Sequence, residues 1–212
     1  MIDYRRKTVI KGQQELRCGY TTGTCAAAAA KAAAVTLLSG EICRDVSLQL
    51  PGGEHIILET EFLECSENCV KCGMIKDAGD DPDITNGLLI CAAVEKTEGE
   101  TILIDGGMGV GRVTKPGLDQ PVGAAAINSV PRKMIHEAVE DVRRQYAWKK
   151  GLKVTVFIPN GKEKAEKTLN PMLGIVGGLS VLGTTGIVEP MSEKALIDTI
   201  AVDIRMHRAQ NE

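Results

Sequence analysis

The sequence predicts an α+β fold, and three observations carry the prediction. Short β-forming runs lie before, between and after the helical segments, only three segments carry a helical pattern, and the two kinds do not alternate as regular strand–helix–strand units would. A length of 212 residues allows one large domain or two small ones, with room for a sizeable core.

The first helix is GTCAAAAAKAAAVTLLSG, residues 23–40, where Ala and Leu supply helix propensity, Thr22 or Thr24 offers a cap, and Gly40 supplies the stop. Eight of the nine residues from Ala26 to Ala34 are alanine, so this helix can approach a sheet or a ligand closely. CRDVSLQL (43–50), the turn Pro51 to Gly53 and EHIILETEFLE (54–64) read as a hairpin. Further strands are expected in GLLICAAVEKT (87–97), TILIDG (101–106) and LKVTVFIP (152–159). A second helix is expected from 131 to about 148, because Pro131 suits a first helical position and Met134, Ile135, Ala138, Val139 and Val142 follow at helical spacing. A third begins after Ser192, with Leu196, Ile200 and Ile204 repeating every fourth residue, and runs towards the end of the chain. The chain stops inside this helix without a capping Gly or Pro, as a fragment or a naturally frayed end would.

Composition narrows the function. Hydrophobic residues at 43% and charged residues at 25% are ordinary for a globular protein, which excludes a disordered chain, a collagen-like repeat and a coiled coil. Aromatics at 3% leave no base-stacking platform, and a net charge of −3 leaves no basic excess, so nucleic acid is not an expected partner. No window approaches 18 uninterrupted apolar residues and no apolar stretch follows the basic N-terminus, so neither a membrane nor a secretory route is expected and the protein reads as cytoplasmic. Seven cysteines, an odd number, read as reduced thiols.

Four segments are candidates for chemistry. Of 23 glycines, eleven fall within 106–123 and 174–186, which points to backbone approaching a ligand or another backbone, or simply to loops. In the first stretch Gly107, Gly109 and Gly111 alternate; the spacing is not a dinucleotide fingerprint, and Pro116 prevents a helix from opening there, but Arg112 and Lys115 suit an anionic ligand. The second stretch brings Gly177 and Gly178 together with hydroxyls at Ser180, Thr184 and Thr185, and it lacks the Lys of a phosphate loop. KDAGDDPDITNG, residues 76–87, crowds Asp77, Asp80, Asp81 and Asp83, so these carboxylates cap backbone N–H groups, pair cations, face water or serve as a general base. Cys65, Cys69 and Cys72 carry the C-x3-C-x2-C spacing of a four-iron cluster, but alternation on a strand would point them to different faces, which favours ordinary thiols. His55, His136 and His207 are isolated and none sits in a metal-binding spacing.

Taken together, GYTTGTCAAAAAKAA, KDAGDDPDITNG, GGMGVGRVTKPGL, PVGAAAINSVPRKMI and NPMLGIVGGLSVLGTTGIVEPMS, spanning about residues 19–192, resemble the cobalt-precorrin-5B (C1)-methyltransferase family of anaerobic cobalamin biosynthesis. The resemblance implies transfer of a methyl group from S-adenosylmethionine to C-1 of a cobalt-containing tetrapyrrole, giving cobalt-precorrin-6A. It implies an α+β domain, a two-layer α/β sandwich resembling ribosomal protein S5 domain 2, over 1–190, with 191–212 a helix leading into a C-terminal domain absent from this chain. The substrate's acidic arms would be met by Arg112, Lys115, Lys76, Arg132 and Lys133 and by Thr21, Thr22 and Thr24 at the mouth of the small-residue helix with its N-terminal N–H groups, and Asp80 and Asp81 would also bind substrate. Asp77 would take up a proton or stabilise the sulfonium, and Gly107, Gly109, Gly111, Gly177, Gly178, Thr184 and Thr185 would hold the donor. No protein-bound metal is expected and homo-oligomerisation is left open. The alternatives are a non-catalytic tetrapyrrole-binding domain and a radical S-adenosylmethionine enzyme built on Cys65, Cys69 and Cys72.

Overall fold

The computed structural model describes residues 7–209. An antiparallel hairpin, β1 (Thr8–Lys11) and β2 (Gln14–Arg17), and the two-residue β3 (Gly19–Tyr20) lead into α1 (Thr22–Ser39). A second hairpin, β4 (Asp45–Gln49) with β5 (His55–Glu59), is followed by β6 (Glu61–Cys65), β7 (Cys69–Ile75), β8 (Leu89–Lys96) and β9 (Ile102–Gly106). The short β10 (Gly109–Val110) and β11 (Arg112–Val113) precede α2 (Ser129–Gln145), β12 (Leu152–Phe157) and a single-turn α3 (Gly161–Ala165). The described chain ends through β13 (Ile175–Val176), β14 (Gly178–Leu179), β15 (Ile187–Val188) and α4 (Glu193–Ala209).

The main sheet has the order β6-β7-β8-β12-β9, antiparallel except for the β12–β9 pair. Alternation puts Val70, Cys72 and Met74 of β7, Ile90, Ala92 and Val94 of β8, and Val154 and Val156 of β12 on one buried face. Against that face lie α1 and the apolar side of α2, Ile135, Val139 and Val142, giving the two layers of an α+β sandwich. Ala26 to Ala34 are closed off from solvent apart from Lys31, because the helix is wedged between the sheet, α2 and the β4–β5 hairpin. Methyl side chains are what permit contact on so many sides at once.

Local chemistry sets the ends of the elements. Gly40 stops α1 in the left-handed conformation, φ +80°, as its position predicts. The cap at the other end is Thr21, not Thr22 or Thr24: its Oγ1 accepts the Thr24 N–H at 3.2 Å. Helix α2 starts two residues earlier and ends three earlier than its pattern predicts. Asp119, ten residues upstream, accepts both the N–H and the hydroxyl of Ser129 at the start, and Ala147 has turned to φ +50° just beyond the end. The expected strand 54–64 divides at Thr60, which is buried and bonded to Arg44, so its second half leaves the hairpin and becomes the edge of the main sheet. Residues 1–6 and 210–212 of the two expected domain spans lie outside the described residues.

Candidate functional site

The connection from β7 to β8 is the Asp-rich loop, and every carboxylate in it has a partner. Arg17 grips Asp77 through both guanidinium nitrogens at 2.6 and 2.9 Å, and the Gly79 N–H adds a third bond at 2.9 Å. The Arg17 hydrogen bonds outweigh burial and hold the Asp77 carboxyl below the usual range, so this group, expected as a proton acceptor, is a poor one near neutral pH. Asp80 accepts the backbone N–H of Arg17 at 2.6 Å, and Asp81 accepts the N–H of Met191 at 3.1 Å. These two, expected to meet substrate, tie the loop to β2 and to the approach to α4. Asp83 pairs with Lys76 at 2.6 Å, and its other oxygen takes the N–H and hydroxyl of Thr85 at 2.7 and 2.6 Å. Burial raises the Asp83 carboxyl, but the Lys76 ammonium and the Thr85 donors overcome it and leave it below the usual range.

Thr21, Thr22 and Thr24 are buried at the start of α1 and hold the loop 182–186 rather than standing open. Thr22 Oγ1 donates to the Leu182 carbonyl at 3.1 Å and accepts the Leu182 N–H at 2.9 Å, while Thr24 Oγ1 donates to the Gly186 carbonyl at 2.7 Å. The helix N-terminal N–H groups expected for substrate carboxylates are also engaged: Gly23 donates to Leu182, Thr24 to Thr21. Thr184 and Thr185 are exposed, and Thr185 closes on the carbonyl of Ile187, two residues on, at 3.1 Å.

The two glycine stretches meet each other. Gly109 pairs with Gly178 and Val110 with Leu179 in a parallel ladder, and β11 pairs with β13 beside it. A Cβ on Gly109, Gly111 or Gly178 would lie under 3.0 Å from a neighbour, against Ile158, Ile175 and Gly109 respectively, so glycine at these positions permits close approach within the protein itself. Gly107 packs beside Thr155, and Gly177 alone of the five has open space around it. The cations are dispersed. Arg112 is bidentate to Asp105 at 2.7 and 3.0 Å and also reaches the Gly106 carbonyl; Arg132 is spent on the carbonyls of Ile104, Ala125 and Ile127. Lys115 lays its stem over Gly174 with its ammonium 3.5 Å from the Met172 carbonyl, and Lys133 is exposed beside Glu137.

What the fold does gather is a cavity of about 190 Å³ where three of the segments converge. Its polar lining includes Thr21 and Thr22 from the start of α1, Lys76 and Asp83 from the Asp-rich loop, and Asn170 and Ser180 from the second glycine stretch. Ile84, Leu179, Leu182 and Val188 supply apolar wall. Of the polar lining, Asn170 was not named by sequence, and Asp83 and Ser180 were named within their segments without a specific role; the pairing of Asp83 with a lysine that enters the core is the feature that separates it from its three acidic neighbours. A larger opening of about 360 Å³ lies along α2, where the cations are engaged, Arg144 by Glu140 and Lys31 by the Ser47 carbonyl.

Cys72 lies in the core beneath α1 while Cys69, three residues away on the same strand, projects to the other face. Among the described residues no group of three or more His, Cys, Asp or Glu side chains is placed to hold a metal ion.

The chain is similar to known proteins along nearly its whole length. A protein 52% identical over 203 residues, from Ruminiclostridium cellulolyticum, is named cobalt-precorrin-5B C(1)-methyltransferase; the match covers 96% of this chain and 53% of that protein. A protein of the same name from Priestia megaterium is 49% identical over 205 residues, covering 97% of this chain and 56% of its own. The chain thus spans about half the length of the curated relatives it matches. The crystal structure of a cobalamin biosynthesis protein (cbiD) from Archaeoglobus fulgidus superposes with a TM-score of 0.68 at 32% identity, over 94% of this chain and 64% of that one. The CbiD family model matches residues 9–190, a span that takes in all three segments around the cavity, and the chain belongs to that family.

Proposed function

We propose that this chain acts in the S-adenosylmethionine-dependent methylation of C-1 of cobalt-precorrin-5B, the step that gives cobalt-precorrin-6A in cobalamin biosynthesis. The observation that carries the reading is identity of about half the residues, along nearly the whole chain, to relatives named for that reaction.

The cavity at the start of α1 does not by itself fit the whole methyl donor. A cavity of about 190 Å³ is below the range of roughly 300–1,000 Å³ that encloses ligands of such size. The glycines assigned to the donor are closed by neighbouring backbone, apart from Gly107 and Gly177. The reading gives residues 7–209 the task of holding the tetrapyrrole, with the apolar walls and the Lys76–Asp83 pair as the part of the surface shaped for a ligand. That observation also favours the second reading, a unit that binds the tetrapyrrole without methylating it. Among the described residues no helix is long and apolar enough to cross a membrane.

The same reading assigns residues 191–212 to the start of a further unit. In support, α4 is fastened at its ends, by the Met191 N–H on Asp81 and by Met206 against Gly117, while Leu196, Ile197 and Ile200 are 64%, 63% and 52% exposed between them.

Anaerobic incubation of this chain with cobalt-precorrin-5B and S-adenosylmethionine, followed by mass spectrometry of the pigment, tests the proposal. Gain of one methyl group supports the reaction and the sufficiency of the chain. Pigment bound without a mass change supports the second reading, and no binding refutes both.

A further inference from the structure

We propose that the cavity at the start of α1 is a carboxylate subsite in which the buried ammonium of Lys76 receives one acidic side arm of the tetrapyrrole; this rests on the corrinoid reading and names the part of the ligand this surface would hold. Lys76 follows directly on β7 and is 1% exposed, a position in which lysine is rare unless it is paired. Its ammonium has three N–H groups, and its hydrogen bond is to Asp83 Oδ2 at 2.6 Å. One acceptor for three donors in a buried site leaves capacity that an incoming oxyanion would fill.

The neighbouring polar groups are more fully engaged. Thr22 is spent in both directions on Leu182, Asn170 donates to the Gly178 carbonyl at 3.1 Å and accepts from Ser180 at 3.2 Å, and Asp83 Oδ1 is filled by Thr85. Apart from Thr21 and Thr168, the remaining wall is apolar, from Ile84, Leu179, Leu182 and Val188, suited to the methylenes of an acetate or propionate arm. Burial of the ammonium strengthens a charge-assisted hydrogen bond, and the start of α1, contributing Thr21 and Thr22 to the same wall, adds the positive end of the helix dipole. Together they offset repulsion from Asp83. The volume, about 190 Å³, admits an arm and not a macrocycle, so the ring would lie outside against the rim formed by Leu182, which is 51% exposed.

The test compares cobyrinic acid, whose arms are free carboxylates, with its fully esterified form, by equilibrium dialysis against the chain and two variants. Leu182→Trp fills the mouth from an exposed side chain and leaves the backbone bonds of residue 182 to Thr22 and Gly23 in place, and Lys76→Met with Asp83→Asn removes both charges without stranding either. Each is expected to weaken cobyrinic acid binding by about 10- to 100-fold, the factor for one charge-assisted hydrogen bond. The ester should bind the Lys76→Met, Asp83→Asn chain as it binds the parent, and Leu182→Trp should keep the parent's melting temperature, which separates loss of the subsite from misfolding. Unchanged cobyrinic acid affinity in a folded Leu182→Trp chain overturns the subsite and leaves the methyltransferase reading intact. A second arm uses S-adenosylhomocysteine against methylthioadenosine, which lacks the amino-acid end; if Leu182→Trp weakens only S-adenosylhomocysteine, the carboxylate is the donor's and the assignment to the tetrapyrrole is overturned. Failure of the parent chain to bind any of these ligands counts against the subsite and the proposed function together.

Discussion

Replacing Gly178 with Ala, beside a matching replacement of Gly177, separates two reasons for a glycine pair. At Gly178 a Cβ would fall under 3.0 Å from the carbonyl of Gly109, and the obstacle is backbone in a two-residue ladder with no side chain to swing aside. Relief requires the β10–β14 pairing to open. Overpacking of this kind costs typically 1–3 kcal/mol, and losing the ladder as well puts the expectation at about 3 kcal/mol. At Gly177 the space is open and the penalty is the positive φ of +86°, about 1–2 kcal/mol, partly offset by a less flexible unfolded chain worth about 0.4–1 kcal/mol. The net there is about 1 kcal/mol. For a chain of this length each kcal/mol moves the melting temperature by about 2–4 °C, so Gly178→Ala should lower it by roughly 6–12 °C and Gly177→Ala by no more than about 4 °C. Differential scanning calorimetry, with donor titrations on both variants, reads the two effects together. If Gly178→Ala melts with the parent and instead loses affinity for S-adenosylhomocysteine, the packing argument is wrong and the glycines form a cradle.

Three further outcomes follow from the geometry. Arg17→Met should cost no more than about 1 kcal/mol at pH 7, since both partners of the pair with Asp77 are about one-third exposed. Because Arg17 holds the Asp77 carboxyl below its ordinary value, the pair's contribution is present above the unfolded pKa of about 3.9 and lost as pH falls through the folded value, so urea melts of parent and variant should converge in acid; a gap that widens there would refute it. In native thiol titration at pH 8, exposed Cys65 should react before Cys25, Cys72 and Cys91, whose thiols burial pushes up to about 12 and which should react only on unfolding. Gly117→Ala, at φ +94° with a Cβ 2.7 Å from the Met206 Cα, should free the end of α4 and speed amide exchange across 193–209 while the main sheet stays protected; uniform protection would show that the contact does not anchor the helix.

The architecture was legible where local sequence and tertiary role agree. The alanine run with Gly40, the Pro-Gly-Gly turn and the apolar spacing after Pro131 each specify an element without help from distant residues, and those elements formed with boundaries shifted by a few residues. What was missed depends on partners. Alternation around Cys69 and Cys72 already suggested a strand, but the place of Cys69–Ile75 between β6 and β8 is set by its neighbours in the sheet. The hairpin Thr8–Arg17 turns near Gly12, φ +61°, within polar sequence that carries no apolar run. The paired glycine stretches were visible as clusters, but Gly109 and Gly178 look alike whether they face a ligand or each other, and only their register decides it.

The candidate site follows from the same pairing. Closing the glycine stretches on each other fixes Leu182 against Thr22 and Gly186 against Thr24, and carries Asn170 and Ser180 to the side of Lys76, so residues that touch no ligand define where one can enter. Charge alone could not have found that place, because sequence offered five cations on equal terms. Arg112 and Arg132 are consumed by protein acceptors; Lys133 is exposed, where an ion pair gains 0–1 kcal/mol. Lys115 sits 3.5 Å from a carbonyl along a loop. Lys76 differs in being desolvated, with one strong bond and two N–H groups left over, so the same carboxylate gains more there than on any of the other four. Selection among equal charges by burial is a property of the folded chain, and it identifies Lys76 as the anchor on which substitutions should first reveal ligand recognition.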